Sequence, residues 1–256
     1  MKKRFQNDIF GFEESNVVFI GVPILPIGEK ILEKLREVSW YVEPFDTLKN
    51  ARIFDAGNFD IEKIGEYVKK TMEMKKIPCI FSNSHLISYY VLKAINKNAN
   101  ILIFDAHLDL KNKYKDEKTY GDEKLNDATW LRRCIEENLV SKIKIFGARS
   151  FDEDEYNFAK QKKIEIIKKQ KKLELKNLYI SFDFDVFDPS ILKSTEYPEP
   201  DGKRFSDIKK FLKNCKLDII AIDFSLMNFS SVPELYEYFL MVKTIFELIH
   251  KINLWQ

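Results

Sequence analysis

Residues 100–110 read NILIFDAHLDL: a short apolar run, then Asp105, His107 and Asp109 at alternate positions. A continuous apolar run of this length, stopped by charged residues, reads as a strand buried on both faces. Side chains two residues apart leave an extended chain on the same face, so the three polar groups converge on one point. In open parallel sheets, ligands sit beyond the carboxyl ends of the strands. This stretch therefore predicts a parallel α/β sheet with a site on its carboxyl edge.

The same grammar repeats along the chain. Strand-sized apolar runs occur at 17–22 (VVFIGV), 77–81 (IPCIF), 142–146 (KIKIF), 164–167 (IEII), 178–182 (LYISF) and 217–224 (LDIIAIDF), with a weaker one at 51–54 (ARIF). Amphipathic stretches such as IEKIGEYVKKTMEM and SDIKKFLKN separate them. A last helix is expected to begin near Ser231-Val232-Pro233, with the serine capping and the proline in the first turn. Strands alternating with helices predict a three-layer α-β-α architecture around a mostly parallel sheet of about eight strands. No Pro/Gly/Ser linker, repeat or low-complexity block interrupts it, so one domain over 1–256 is expected.

Composition narrows the function classes. The 256 residues carry a formal net charge of +2, which gives no general electrostatic case for nucleic acid or membrane surfaces. Apolar runs fall far short of the roughly 20 residues of a spanning helix. MKKRFQNDIF at the start is basic but lacks a signal peptide's apolar segment, so a cytoplasmic location is expected. Cys79, Cys134 and Cys215 are widely spaced and read as buried free thiols. The basic run Lys168–Lys172 has no interleaved aromatics and reads as a solvated turn or helix face.

Two further strand ends carry the same chemistry as 105–109. LYISF leads into Asp183, Phe184 and Asp185, again with carboxylates at alternate positions, and IPCIF leads through Ser82-Asn83-Ser84 to His85. Singly, His85 reads as a cap or core histidine, and each aspartate as a helix cap or Asx turn. Together they resist that reading, because carboxylates crowded on one rim repel unless a cation neutralises them. Two of the chain's three histidines join them; the third, His250, lies in the amphipathic C-terminal stretch and reads as structural. Six mixed oxygen and imidazole ligands suit two divalent ions, and the oxygen-rich set favours Mn²⁺ over Zn²⁺. Such a pair generates a nucleophilic water at neutral pH, which is an arrangement for hydrolysis.

The chain resembles the ureohydrolase superfamily of arginases and agmatinases. Asp105-Ala106-His107-Leu108-Asp109 matches its Asp-Ala-His-x-Asp motif, and Ser181, Asp183, Asp185, Asp188 and Pro189 match its Ser-x-Asp-x-Asp-x-x-Asp-Pro motif. Weaker likeness covers NVVFIGVP, ARIFDAGN, ATWLRR and FGARS. The resemblance implies one metal held by His85, Asp105, Asp109 and Asp183. It implies a second on His107 and Asp185, with Asp105 and Asp183 bridging. It further implies that activated water, oriented by Asp109, attacks a guanidinium carbon to release urea and an amine, in an enzyme assembled as trimers or hexamers.

Departures from that pattern bear on the substrate. Ser82-Asn83-Ser84-His85-Leu86 stands where the family has Gly-Gly-Asp-His-Ser, and Asp127 stands where it has a proton-shuttling histidine. Asp127 serves as an acid at neutral pH only if its site raises its pKa. The family's guanidinium-binding glutamate aligns with Ala221, leaving Asp223, two residues on, either to take over substrate binding or to cap the following turn. The family's Gly-Thr-Gly after Asp-Pro is missing, although Tyr197-Pro198-Glu199-Pro200 keeps a Pro-x-Pro. A manganese hydrolase of linear C–N bonds, agmatinase-like, is the leading expectation. Alternatives are a related hydrolase of another guanidino or formimino compound, and an impaired metal-binding paralogue acting as a partner subunit.

Overall fold

The computed structural model describes residues 4–44, 46–95, 98–168, 171–226, 228 and 231–252. Its strands are β1 (Val17–Val22), β2 (Ile53–Asn58), β3 (Ile77–Ser82), β4 (Ala99–Phe104), β5 (Val140–Phe146), β6 (Glu165–Ile167), β7 (Leu173–Asp183) and β8 (Cys215–Ser225). The helices are α1 (Gly28–Ser39), α2 (Ile61–Glu73), α3 (Ile87–Ile95), α4 (Trp130–Glu136), α5 (Glu153–Gln161), α6 (Phe205–Lys213) and α7 (Leu235–His250). All eight strands form one sheet in the order β2-β1-β3-β8-β7-β4-β5-β6, with every neighbouring pair parallel.

Strand side chains alternate between two apolar cores. Leu102, Phe104, Ile180 and Phe182 pack with α1, α6 and α7 on one face, while Ile101, Ile103 and Tyr179 pack with α2, α3 and α4 on the other. Helices on both faces are what buried parallel strands require. In the middle of the first face, Phe104, Phe182 and Phe224 lie in register across β4, β7 and β8. Their rings are 4.9 Å (104–182) and 6.0 Å (182–224) apart. Each such burial is worth about 1.5–3 kcal/mol, and each ring immediately precedes the last or first residue beyond its strand's apolar run. The row thus fixes the height at which Asp105, Asp183 and Ser225 emerge.

Several boundaries differ from those read off the sequence. β2 starts at Ile53 and continues to Asn58, because Asp55 is paired with buried Arg36 (Nε–Oδ2 2.7 Å) and so tolerates a sheet position. β8 continues to Ser225, which puts Ala221 in mid-strand, opposite Tyr179 and inside the core. Aligning Ala221 with a strand-end carboxylate was therefore incorrect: at about 3.3 Å per residue, it lies about 13 Å back from the edge. The last helix begins at Leu235, not at Ser231. Ser231 is held in a turn by Asn228 Oδ1 (3.0 Å), and the Glu237 carboxylate accepts from the Glu234 backbone N–H (2.7 Å) at the helix start.

Of the basic run, Lys169 and Gln170 lie outside the described residues. Lys168 is exposed in the β6–β7 connection, and Lys171 pairs with Glu165. The three cysteines are buried and free. His250 ends α7 as an exposed residue. Among the described residues, no helix is long and apolar enough to cross a membrane.

Candidate metal centre

The four central strands, β3-β8-β7-β4, deliver the polar groups. β3 ends at Ser82 and the chain turns through Asn83 and Ser84 to His85; β4 ends just before Asp105; β7 ends on Asp183, followed by a short 3-10 turn holding Asp185. His85 Nδ1 lies 2.9 Å from Asp109 Oδ2 and 3.3 Å from both Asp105 Oδ2 and Asp183 Oδ2. His107 Nδ1 lies 2.9 Å from Asp185 Oδ2 and 3.5 Å from Asp105 Oδ1. Ligand atoms of His85, Asp105 and Asp109 fall within 4.8 Å of one another, as do those of Asp105, His107 and Asp185. Asp105 belongs to both groups, with one oxygen toward each.

Backbone and neighbouring side chains aim these carboxylates. His107 N–H donates to Asp105 Oδ1 (2.6 Å), Ala106 N–H to Asp185 Oδ1 (2.9 Å), Asp185 N–H to Asp183 Oδ1 (2.9 Å), and Ser225 Oγ to Asp183 Oδ2 (2.8 Å). Asp109 adopts a left-handed backbone (φ 53°) and accepts from Trp130 Nε1 (2.6 Å) on Oδ2. Gly147 (φ 114°) is needed where it is: a Cβ there would meet Val186 Cγ2 at 2.5 Å and the Asp105 carbonyl oxygen at 2.9 Å. Two residues on, the Arg149 guanidinium donates to the carbonyls of Asp185 (3.0 Å), Glu199 (2.8 Å) and Pro200 (2.8 Å), tying the turn after β7 to the 199–200 loop.

Electrostatics show a cluster short of positive charge. Burial pushes Asp109 up to about 7, helped by the Asp105 charge, and burial with neighbouring carboxylates raises Asp183 and Asp185 as well. Burial also opposes ionisation of Asp105, yet hydrogen bonds from His107 and His85 hold it below the ordinary carboxylate range. Burial alone would lower both imidazoles. Hydrogen bonds to Asp105 and Asp109 instead raise His85 well above its ordinary value, and Asp185 and Asp105 bring His107 to about 12. Protons here do what divalent cations do better: three carboxylates and two imidazole nitrogens in two groups sharing Asp105, with Asp183 beside His85, fit a pair of such ions.

Behind the rim, the residues at the sequence departures have definite tasks. Asn83 Oδ1 accepts from the backbone N–H groups of Ile24 (2.9 Å) and Leu25 (3.1 Å), stitching the β1–α1 loop to the site. Ser84 Oγ (2.5 Å) and Leu86 N–H (3.1 Å) both donate to Asp127 Oδ1. Asp127 Oδ2 is buried without a hydrogen-bond partner among the described residues, and burial raises its pKa. Asp127 lines the same cavity of about 210 Å³ as the histidines and aspartates.

Asp223 does not line that cavity. It is fully buried behind the rim, where Ser88 Oγ (3.0 Å), Ser181 Oγ (3.3 Å) and the Tyr179 hydroxyl donate to it. The substrate-binding expectation for Asp223 is corrected accordingly, and so is the alternative that it caps a turn. Beyond β8 the next residue is Leu226, which is buried in the core. Sequence reasoning assigned no role to Trp130, or to the cavity wall of Tyr114, Thr119, Tyr197 and Glu199. ATWLRR and the Pro-x-Pro segment were the available signals, and neither specifies a contact.

Comparison with known proteins follows the same line. A model of the arginase family matches residues 29–231. An agmatinase of Bacillus anthracis is 28% identical over 247 residues, covering 83% of each chain. An N(1)-aminopropylagmatine ureohydrolase of Thermococcus kodakarensis is 33% identical over 165 residues, covering 58% of this chain and 54% of its own. The crystal structure of an agmatine ureohydrolase of Thermoplasma volcanium superposes with a TM-score of 0.79 at 21% identity, covering 99% of this chain and 95% of that one.

Proposed function

Because the chain belongs to the arginase family, we propose that it hydrolyses the linear C–N bond of a guanidino compound with two manganese ions, releasing urea, and that agmatine is its substrate. The observation that carries this reading is the pair of ligand groups sharing Asp105. His85, Asp105, Asp109 and Asp183 would hold one ion, and His107 and Asp185, together with Asp105 and Asp183, the other. Bound there, the ions supply an activated water at neutral pH.

This chain's own groups do the rest. Asp109, fixed through Trp130, orients the attacking water with its carboxylate. Water adds to the guanidinium carbon, the bond from that carbon to the alkyl nitrogen breaks, and the departing amine needs a proton. Asp127 is placed to give it, since burial raises its carboxyl above the ordinary carboxylate range and it borders the cavity. The cavity wall beyond the ligands favours a cationic tail over a carboxylate one. Glu155, Glu196 and Glu199 line it with one lysine, Lys111; Lys111 is paired with Asp152 (2.6 Å) and Glu155 (3.3 Å), and Glu196 with Lys118 (2.6 Å), so carboxylates outnumber lysines around it. That distinction supports agmatine over arginine, as do the names of the relatives.

A second reading rests on Leu226, which leaves the end of β8 without a carboxylate for a guanidinium. It favours a formimino or other guanidino substrate. Manganese-loaded protein, assayed for urea and formamide across such a panel, separates the two. Urea from agmatine is the expected product. No urea at millimolar agmatine from protein carrying two ions per chain would sink the agmatine reading.

A further inference from the structure

Asp223 is a fully buried carboxylate of β8 that does not line the cavity, and four buried groups surround it. His85 Nε2 lies 2.8 Å from Ser181 Oγ; Ser181 Oγ lies 2.9 Å from Ser88 Oγ and 3.3 Å from Asp223 Oδ1; Ser88 Oγ lies 3.0 Å from Asp223 Oδ2, which also accepts from Tyr179. The sheet builds this line, since Ser181 and Asp223 are direct partners across β7 and β8, with Tyr179 two residues earlier on the same face.

Hydrogen-bond polarity along the line runs one way. An ionised carboxylate only accepts, so the hydroxyl hydrogens of Tyr179, Ser88 and Ser181 point toward Asp223, directly or through one another. Ser181 then keeps a lone pair for His85, and His85 must carry its proton on Nε2. When a cation replaces the proton shared with Asp105, Asp109 and Asp183, the Nδ1 of His85, the nitrogen facing them, would then be left as the free acceptor. A group that fixes the far nitrogen of a ligating imidazole fixes both tautomer and ring orientation.

We propose that Asp223, acting through Ser181, is a positioning residue that holds His85 in the tautomer presenting Nδ1 to a divalent cation. The assignment rests on the metal-centre reading above. It gives Asp223 a task on the ligand side of the site instead of the substrate side.

Asp223→Asn tests it with almost no change of shape. An amide at this position can donate, so Ser181 can turn its own hydrogen toward His85 and favour the wrong tautomer. Mn²⁺ titration, followed through the electron paramagnetic resonance of the free ion, gives the stoichiometry and both affinities. Wild type is expected to bind two ions. Asp223→Asn should bind one of the two, the ion assigned to His85, about 10- to 100-fold less tightly. Ser181→Ala should do the same. The double variant should be no worse than Ser181→Ala alone, because the two act through one relay, whereas a purely structural role for Asp223 would add its cost. Additive losses, or wild-type affinities in Asp223→Asn, overturn the proposal. Wild-type protein that binds no Mn²⁺ overturns it together with the metal-centre reading.

Discussion

Two walls of one cavity are built by different means. The metal side hangs on strand ends: Asp105, Asp183 and His85 are buried, the two carboxylates aimed by backbone N–H groups and the imidazole by Ser181, beside the Phe104-Phe182-Phe224 row. The facing wall hangs on two connections, where Asp116 accepts from Tyr114 (2.8 Å), Thr119 (2.6 Å) and Tyr197, and Lys118 meets Glu196 (2.6 Å). A site on sheet edges tolerates little displacement, while one on loops is tuned by single hydroxyls. The division suggests that the rim sets the reaction and the wall sets what is brought to it.

The contrast is broken most severely at the rim. Asp183→Ala removes a carboxylate proposed to serve both ions. Bound manganese should fall well below two ions per chain, and kcat/KM by about 10³-fold or more, since metal assistance is worth several kcal/mol. Retention of both ions, measured by elemental analysis, would mean the rim is drawn wrongly. Next comes Asp127→Asn, which keeps the contacts of Oδ1 but cannot give up a proton. A fall in kcat of about 10²- to 10⁴-fold is expected, with two ions still bound. In wild type, kcat should decline as pH rises through the raised Asp127 pKa. An unchanged kcat in the variant removes Asp127 from catalysis.

A third effect separates rim from wall without mutation. In chelator-stripped protein, the folded pKa values of Asp109 (about 7) and Asp223 (about 6) stand above the unfolded carboxylate value, so these groups stay protonated longer when folded. His85 and His107 are raised too, and likewise hold protons that the unfolded chain has released. All four make the folded state bind more protons, so stability falls with rising pH, from about 4 upward for the carboxylates and from about 6.5 for the imidazoles. The stripped protein should melt at least about 2–4 °C lower at pH 8 than at pH 5. Added Mn²⁺ should shrink that difference, as calorimetry can check. The smallest effect belongs to the wall: Tyr197→Phe loses one hydroxyl contact with Asp116, worth about 1 kcal/mol, and should raise KM about 5-fold with kcat unchanged.

How far the sequence could be read follows the same division. Apolar runs announced the eight strands, and alternate spacing announced which side chains converge, because a strand's period is fixed. Depth along a strand has no such signature. LDIIAIDF shows that Ala221 and Asp223 share a face, but nothing in it marks that the sheet runs on to Ser225, so Ala221 was set at the edge and Asp223 beyond it, as a substrate-binding or turn-capping residue. Likewise, Ser231 and Pro233 make a plausible helix start until Asn228 claims the serine. The wall was illegible altogether, since loop geometry depends on partners such as Asp116 and Tyr197, 81 positions apart.

Asp109 has one more consequence. Its positive φ is a conformation that asparagine and glycine share readily and that glutamate, alanine and valine resist. Its carboxylate, in contrast, is a property that only glutamate shares. Charge and backbone thus demand different replacements, and no exchange among the natural amino acids satisfies both. Genetic drift through this codon is closed in every direction, so lineages that abandon the aspartate should abandon the site with it.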